Sequence, residues 1–220
     1  MKILAIDTAT ERCSVTLRTE ARTFDRVIDT PRGHADLILT LVQDVLNEAA
    51  TTLADLDAIA YGRGPGGFTG VRIAIGVAQG LAFGASLPTV GISDLAAVAQ
   101  QVAAPGDRVL VCMDARMNEV YWGVFDCGAD GLVVAAGIEQ VSAPAGVDAQ
   151  VATITKLAGT GFRAYPELAQ RFAMFPPTDA LPRAAEIALL GAAALRKGEG
   201  RPAHEAQPVY LRDNVAVAKK

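Results

Sequence analysis

Histidine and cysteine are scarce in this chain of 220 residues, which holds two of the first, His34 and His204, and three of the second, Cys13, Cys112 and Cys127. The cysteines are odd in number, far apart and form no C-x-x-C pair. Neither a zinc site nor a disulfide framework is expected, and free thiols in a reducing compartment are. The histidines make no H-x-x-H or H-E-x-x-H spacing. His34, just ahead of a helix, reads as an exposed residue, and His204, beside Glu205 in a polar turn, as a solvated one. No Gly-Lys-Ser/Thr step exists, which excludes the phosphate loop of ATPases. Acids outnumber bases, 24 to 20, for a net charge of −4. An acidic surface repels phosphate backbones, so work on a nucleic acid would need a partner to supply the phosphate contacts. Long apolar runs are missing too. The opening run stops at Asp7, too soon for a signal peptide. The longest, Val71 to Leu87, is interrupted by Arg72, Gln79 and glycines and ends at Pro88. A membrane span needs roughly 20 uninterrupted residues. The expected location is the cytoplasm, with no membrane contact.

What is present is a globular composition, 51% hydrophobic and 20% charged. Lys2–Asp7, Cys13–Arg18 and Arg22–Ile28 predict a β-meander. Gly33–Ala50 predicts a helix, with Leu37, Ile38, Leu41, Val42, Val45, Leu46 and Ala49 at helical spacing and Leu39 widening the stripe. A strand over Leu56–Gly62 leads through a glycine loop into a helix over Phe68–Gly84. A strand over Pro88–Ile92 follows, then a helix from Ser93, a good N-cap, to about Val102. The break at 103–107 divides the chain into lobes 1–104 and 105–220, the end of the second free to pack back on the first. The opening pattern then recurs in degenerate form. Strands are expected over Arg108–Asp114, Glu119–Phe125 and Gly131–Val141, a helix over Pro144–Val151, a strand over Ile154–Gly159 and a helix over Tyr165–Phe172. A long helix begins with Pro182 at its first position and ends at Gly198, and Gln207–Arg212 is a terminal segment. A duplicated meander with helices marks an α/β chain of the actin, sugar kinase and Hsp70 type.

The loop Gly62-Arg63-Gly64-Pro65-Gly66-Gly67-Phe68-Thr69-Gly70 matches a G-x-G-x-x-G pattern, but three strands and a helix precede it and no acid ends the next strand. That speaks against a Rossmann fingerprint. Two roles fit the loop equally. Backbone N–H groups of Gly66, Gly67 and Phe68, with the Thr69 hydroxyl, can face an anion at the helix start. Alternatively the glycines permit close backbone packing. Asp7 stands where kinases of this fold keep a catalytic acid, with Thr8 and Thr10 as a phosphate hairpin; it can equally cap the following turn. Asp7, Thr8, Gly64, Gly66, Gly67 and Thr69 are therefore the candidate nucleotide or anion contacts. Asp114 holds the matching place in the second lobe, its pairing with Arg116 reading as a brace.

The Phe68–Gly84 helix has almost no polar face. Arg72, Gly76, Gly80 and Gly84 recur every four residues on one side, and the other side, with Val71, Ile75, Ala78 and Ala82, can pack on the sheet. Interior glycines cost a helix roughly 0.5–1 kcal/mol each, so close helix–helix approach is expected to offset them. This helix and Gly33–Ala50 have more apolar surface than one sheet can cover. They suit a two-plus-two helix interface with another subunit, or packing against each other. The candidate interface residues are Leu37, Leu41, Val45, Arg72, Ile75, Gly76, Gly80 and Phe83. No nucleophile, acid–base pair or metal cluster is visible, so no catalytic residue is assigned.

Four segments carry a family resemblance, in order along nearly the whole chain. They are Ile3–Thr10 with Cys13-Ser14-Val15, Gly62–Ile73, Met113–Tyr121 and Pro208-Val209-Tyr210-Leu211-Arg212. Together they resemble the TsaB (YeaZ) family, with Gly67 where that family more often has serine. The resemblance implies an actin-like two-lobed fold and a non-catalytic subunit. Its expected partner is the paralogue TsaD, joined through the first two helices, together with the ATPase TsaE. It implies transfer of threonylcarbamoyl to adenosine 37 of tRNAs that read codons beginning with A, the tRNA being reached only through the complex. A homodimer in the absence of TsaD is implied as well. The metal-binding histidine motif of TsaD has no counterpart at Val90-Gly91-Ile92-Ser93-Asp94, so no metal or cofactor is expected on this chain alone, with ATP or ADP at the level of the complex. The alternative is a nucleotide-dependent kinase or acyltransferase of the same fold using Asp7 and the Gly62–Gly70 loop.

Overall fold

The computed structural model describes residues 1–149, 153–172 and 174–212. The first sheet has the order β3-β2-β1-β4-β5, built from β1 (Ile3–Asp7), β2 (Arg12–Arg18), β3 (Thr23–Asp29), β4 (Ala58–Gly62) and β5 (Thr89–Ile92). Strands β1, β2 and β3 form an antiparallel meander, while β4 lies parallel to β1 and β5 parallel to β4. Every residue of β1 and β4 is buried, which a strand covered on both faces requires of its sequence. The second sheet has the order β10-β6-β7-β8, from β6 (Arg108–Asp114), β7 (Val120–Cys127), β8 (Val133–Ala135) and β10 (Lys156–Ala158), with β9 (Gln140–Ser142) also on β7.

The expected third strand of the second lobe is interrupted. Strand β8 pairs with Phe125–Cys127 and β9 with Val120–Trp122, and the register slips by two residues between them. The excess chain at 137–139, past the Ala136 N–H that still donates to the Val124 carbonyl, leaves the sheet and exposes Ile138. The helix expected over Pro144–Val151 is only a single 3₁₀ turn at Pro144–Gly146; Gln150 and Val151 lie outside the described residues. The helix expected over Tyr165–Phe172 is a pair, α4 (Gly161–Ala164) and α5 (Pro166–Arg171).

Helices α1 (His34–Glu48) and α2 (Phe68–Ala85) cover the outer face of the first sheet. Helices α3 (Asp94–Val102) and α6 (Ala184–Arg196) lie between the sheets in one shared core, and α4 and α5 cover the far face of the second. The two central helices are exchanged. The earlier one, α3, packs on β6, β7, β8 and β10, while α6 packs on β1, β2, β4 and β5. Gly191 lets α6 come close: a Cβ there would stand 2.8 Å from that of Ala60. Pro182 does not open α6 as expected. The chain stays extended through Arg183, and the first helical N–H, of Ala184, donates to Ser14 Oγ on β2 at 3.0 Å. From a residue 170 positions away this bond does what a capping side chain does locally.

Helix α2 is 18 residues long with a mean hydropathy of 1.3, enough by length and composition for a membrane span. Its Val71, Ala74, Ile75, Ala78 and Ala82 are nevertheless in the core, and Gln79 donates to the Ala206 carbonyl at 2.9 Å.

Candidate functional site

Two features stand out, a cleft between the hairpins of the two sheets and an uncovered flank beside it. The cleft encloses about 1170 Å³. One wall is the β1–β2 turn (Thr8, Ala9, Thr10, Glu11), the start of α1 (Gly33, His34) and the start of α2 (Gly66, Gly67, Thr69, Gly70). The other is Met113, Asp114, Ala115, Arg116 and Tyr121 around the β6–β7 turn, with Thr160 and Arg163. Neither α1 nor α2 has a side-chain cap, so both helix starts present free N–H groups on this side.

The glycine loop is held down by contacts only glycine allows. The Gly67 N–H donates to the Ala9 carbonyl at 2.7 Å, and a Cβ on Gly66 would come within 2.6 Å of that oxygen. The Thr8 hydroxyl donates to the Gly70 carbonyl at 2.7 Å, and a Cβ on Gly70 would overlap the Thr8 carbonyl. Close packing therefore explains Gly66 and Gly70. Among the candidate anion contacts, Thr8, Gly66, Gly67 and Thr69 line the cleft. Asp7 and Gly64 do not: both are buried beneath it, and these two expectations are corrected. Asp7 Oδ1 accepts the Ala9 N–H at 2.9 Å, the turn-capping role. Gly64 has a φ of +96° and donates to Asp94 Oδ2 at 2.6 Å. His34, expected to be exposed, is buried at the edge of the cleft that it helps to line.

Asp94 was not singled out by its sequence position, in the first turn of a capped helix. It is fully buried, as is Asp7. Burial pushes the Asp7 carboxyl up to about 6 against the Ala9 hydrogen bond, and burial followed by the charge of Asp7 raises Asp94 well above the ordinary carboxylate range. Burial likewise pushes the Cys13 thiol up to about 11, and Cys112 is raised by the same cause. These thiols are unreactive at neutral pH. Among the described residues, no three His, Cys, Asp or Glu side chains gather as a metal site would require.

On the flank, among the described residues no heavy atom lies within 4 Å of where a Cβ on Gly76, Gly80 or Gly84 would stand. Arg72 is exposed, and Phe83 is 81% exposed and Leu39 57%. Leu37 is half-buried. Leu41, Val45 and Ile75 are corrected: they belong to the core between α1, α2 and the first sheet and are not on the surface. Helix periodicity shows a stripe, but which stripe the chain's own sheet takes is decided by packing.

At the head of α2 the distant motifs meet. The Arg72 guanidinium lies 3.3 Å from the centre of the Phe68 ring and 4.8 Å from that of Tyr210, both rings about half exposed. The Val209 N–H donates to the Arg63 carbonyl at 2.8 Å. Arg212 pairs with Glu119 and donates to the Ala115 carbonyl at 3.1 Å. That closes the turn in which Arg116, Met117 and Asn118 all adopt positive φ. Arg116 pairs with Asp114 at 3.0 Å, the brace expected of them.

Two sheets with exchanged central helices and a cleft between their hairpins define an α/β protein of the actin-like class. The family model of tRNA N6-adenosine threonylcarbamoyltransferase, TsaD, matches residues 29–220. The Escherichia coli K12 tRNA threonylcarbamoyladenosine biosynthesis protein TsaB is 41% identical, covering 100% of this chain and 98% of its own. The Haemophilus influenzae protein of the same name is 36% identical over 100% and 97%. A solved structure of YeaZ from Pseudomonas aeruginosa is 41% identical with a TM-score of 0.86, over 96% of this chain and 99% of that one. Another from that organism, described as similar to peptidase YEAZ, is 42% identical with a TM-score of 0.87 over the same shares. The chain belongs to the TsaB (YeaZ) family of tRNA threonylcarbamoyladenosine biosynthesis proteins.

Proposed function

We propose that this chain is a non-catalytic scaffold subunit that pairs with TsaD through the flank formed by α1 and α2. TsaE joins them, and the assembly transfers threonylcarbamoyl to N6 of adenosine 37 in tRNAs reading ANN codons. The observation that carries this reading is the stripe of Gly76, Gly80 and Gly84 on α2, open to solvent beside Phe83. Three interior glycines weaken a helix by roughly 2 kcal/mol in total unless something packs closely against them, and none of the described residues does. Such a notched apolar helix fits the close approach of a second helix. In the absence of TsaD the same flank joins two copies of this chain. The net charge of −4 supports contact with tRNA through the complex and not through this subunit alone, and the protein works in the cytoplasm.

The test is co-purification of TsaD with Gly80→Glu and Phe83→Glu variants. Both positions have room for the new side chain, so the variants should fold, yet lose TsaD and elute as monomers in size exclusion with light scattering. Folded variants that retain TsaD at wild-type levels would sink the reading.

The second reading, a nucleotide-dependent kinase or acyltransferase, rests on the cleft, where Thr8, Gly66, Gly67 and Thr69 lie against two uncapped helix starts. Isothermal titration of the isolated chain with ATP or ADP and magnesium separates the two. We expect no binding without TsaD, any ATP or ADP being held by the complex.

A further inference from the structure

Five buried polar side-chain atoms among the described residues lack a hydrogen-bond partner, and two of them are Asp7 Oδ2 and Asp94 Oδ1. The two side chains come from different elements, the end of β1 and the start of α3, and converge on Gly62 at the end of β4. A Cβ on Gly62 would lie 2.6 Å from Asp7 Oδ1 and 2.5 Å from Asp94 Oδ1, so both carboxyls occupy the space a side chain would take. Both Oδ1 atoms border that one point, which places the two carboxyls to hydrogen-bond to each other. Two carboxylates cannot do so, since each only accepts; a proton on one of them makes the bond.

The remaining oxygens tie down the cleft floor. Asp7 Oδ1 takes the Ala9 N–H, and Asp94 Oδ2 takes that of Gly64 at 2.6 Å, while the Asp94 N–H returns to the Gly64 carbonyl at 3.1 Å. Asp7 thus holds the β1–β2 turn and Asp94 the glycine loop. We propose that Asp94 carries a proton that it donates to the Asp7 carboxylate, and that this carboxyl–carboxylate bond fastens the β1–β2 turn to the Gly62–Gly67 loop from which α2 departs. The bond makes the cleft floor and the root of the flank helix a single pH-sensitive unit.

The other titratable and charged groups acting on the pair are His34 on α1, Arg12 and Cys13 on β2, and Glu139 ahead of β9. In the unfolded chain both carboxyls titrate near 3.8; in the folded chain Asp7 is raised to about 6 and Asp94 beyond the carboxylate range. The stability that the bond contributes is therefore fully present below the unfolded value. It falls as pH rises through the folded ones.

Asp94→Asn tests the bond directly. Asparagine accepts from Gly64 as before and offers its amide N–H to Asp7, reproducing the protonated form without a titratable proton. The denaturation midpoint of wild type should drop relative to Asp94→Asn as the pH is raised from about 5, and go on dropping until Asp94 itself ionises. The comparison is repeated in a His34→Gln background so that the imidazole does not contribute. Infrared spectroscopy of aspartate-labelled wild type needs no variant. It should show a protonated-carboxyl stretch at neutral pH that disappears at high pH and is absent from Asp94→Asn. Parallel midpoints across the range, or no protonated-carboxyl band in wild type at neutral pH, would overturn the proposal.

Discussion

At the scale of single residues, the glycine loop separates positions where a side chain is forbidden from one where it is merely missing. Gly70 has the Thr8 carbonyl where its Cβ would be. Gly70→Ala should cost on the order of 3 kcal/mol, the upper end for overpacking, read as a lower midpoint in chemical denaturation. Gly67 is different. It occupies the N-cap of α2 in extended conformation, with ordinary contact distance, 3.4 Å, between a Cβ and the Ala9 carbonyl. Gly67→Ser should supply the absent cap and stabilise by a few tenths of a kcal/mol, detectable as a small rise in midpoint. Ala50 offers a larger gain. It ends α1 at a φ of +47°, with the Thr51 N–H returning to the Leu46 carbonyl. Glycine adopts this left-handed conformation without strain, so Ala50→Gly should stabilise by about 1 kcal/mol. Asp94 shows where sequence reasoning stops at this scale. An acid in the first turn of a capped helix is unremarkable by itself. Only the convergence of β1, β4 and α3 turns it into half of a buried pair.

At the scale of elements, the first lobe was legible because its signals are local. β1 and β4 are short unbroken apolar runs, and α1 carries Ile38, Leu41, Val42, Val45 and Leu46 at spacings of three and four. The glycine stripe of α2 could be read as a notch from spacing alone. The opposite face, with Val71, Ile75, Ala78 and Ala82, could be read as the side toward the sheet, and all four are buried there. Spacing does not separate core from interface within such a stripe: Ile75, Leu41 and Val45 qualify for both by position and are all buried. The second lobe was read less well because its elements depend on distant partners. The β8–β9 break is set by register along β7, and the start of α6 by a hydroxyl on β2.

At the scale of the molecule, the four motifs that carry the family likeness are scattered in sequence but share a boundary around the cleft and the head of α2. The C-terminal segment explains why. Val209 binds the glycine loop and Arg212 binds the β6–β7 turn, so one short stretch fixes the relation of both hairpins. Arg212→Ala should leave the core intact while loosening the turn at Arg116–Asn118. Amide hydrogen exchange should rise at Glu119 and Ala115, whose N–H groups are bonded within that turn, with little change in β1 or β4.

The exchange of α3 and α6 has a consequence for biogenesis. As the chain leaves the ribosome, β1, β2, β4 and β5 are all synthesised while the helix that must cover their inner face is still some ninety residues from emerging. The nascent N-terminal half is bound to wait, greasy side bare, and a product truncated before Ala184 should aggregate or be degraded in place of folding as half a protein.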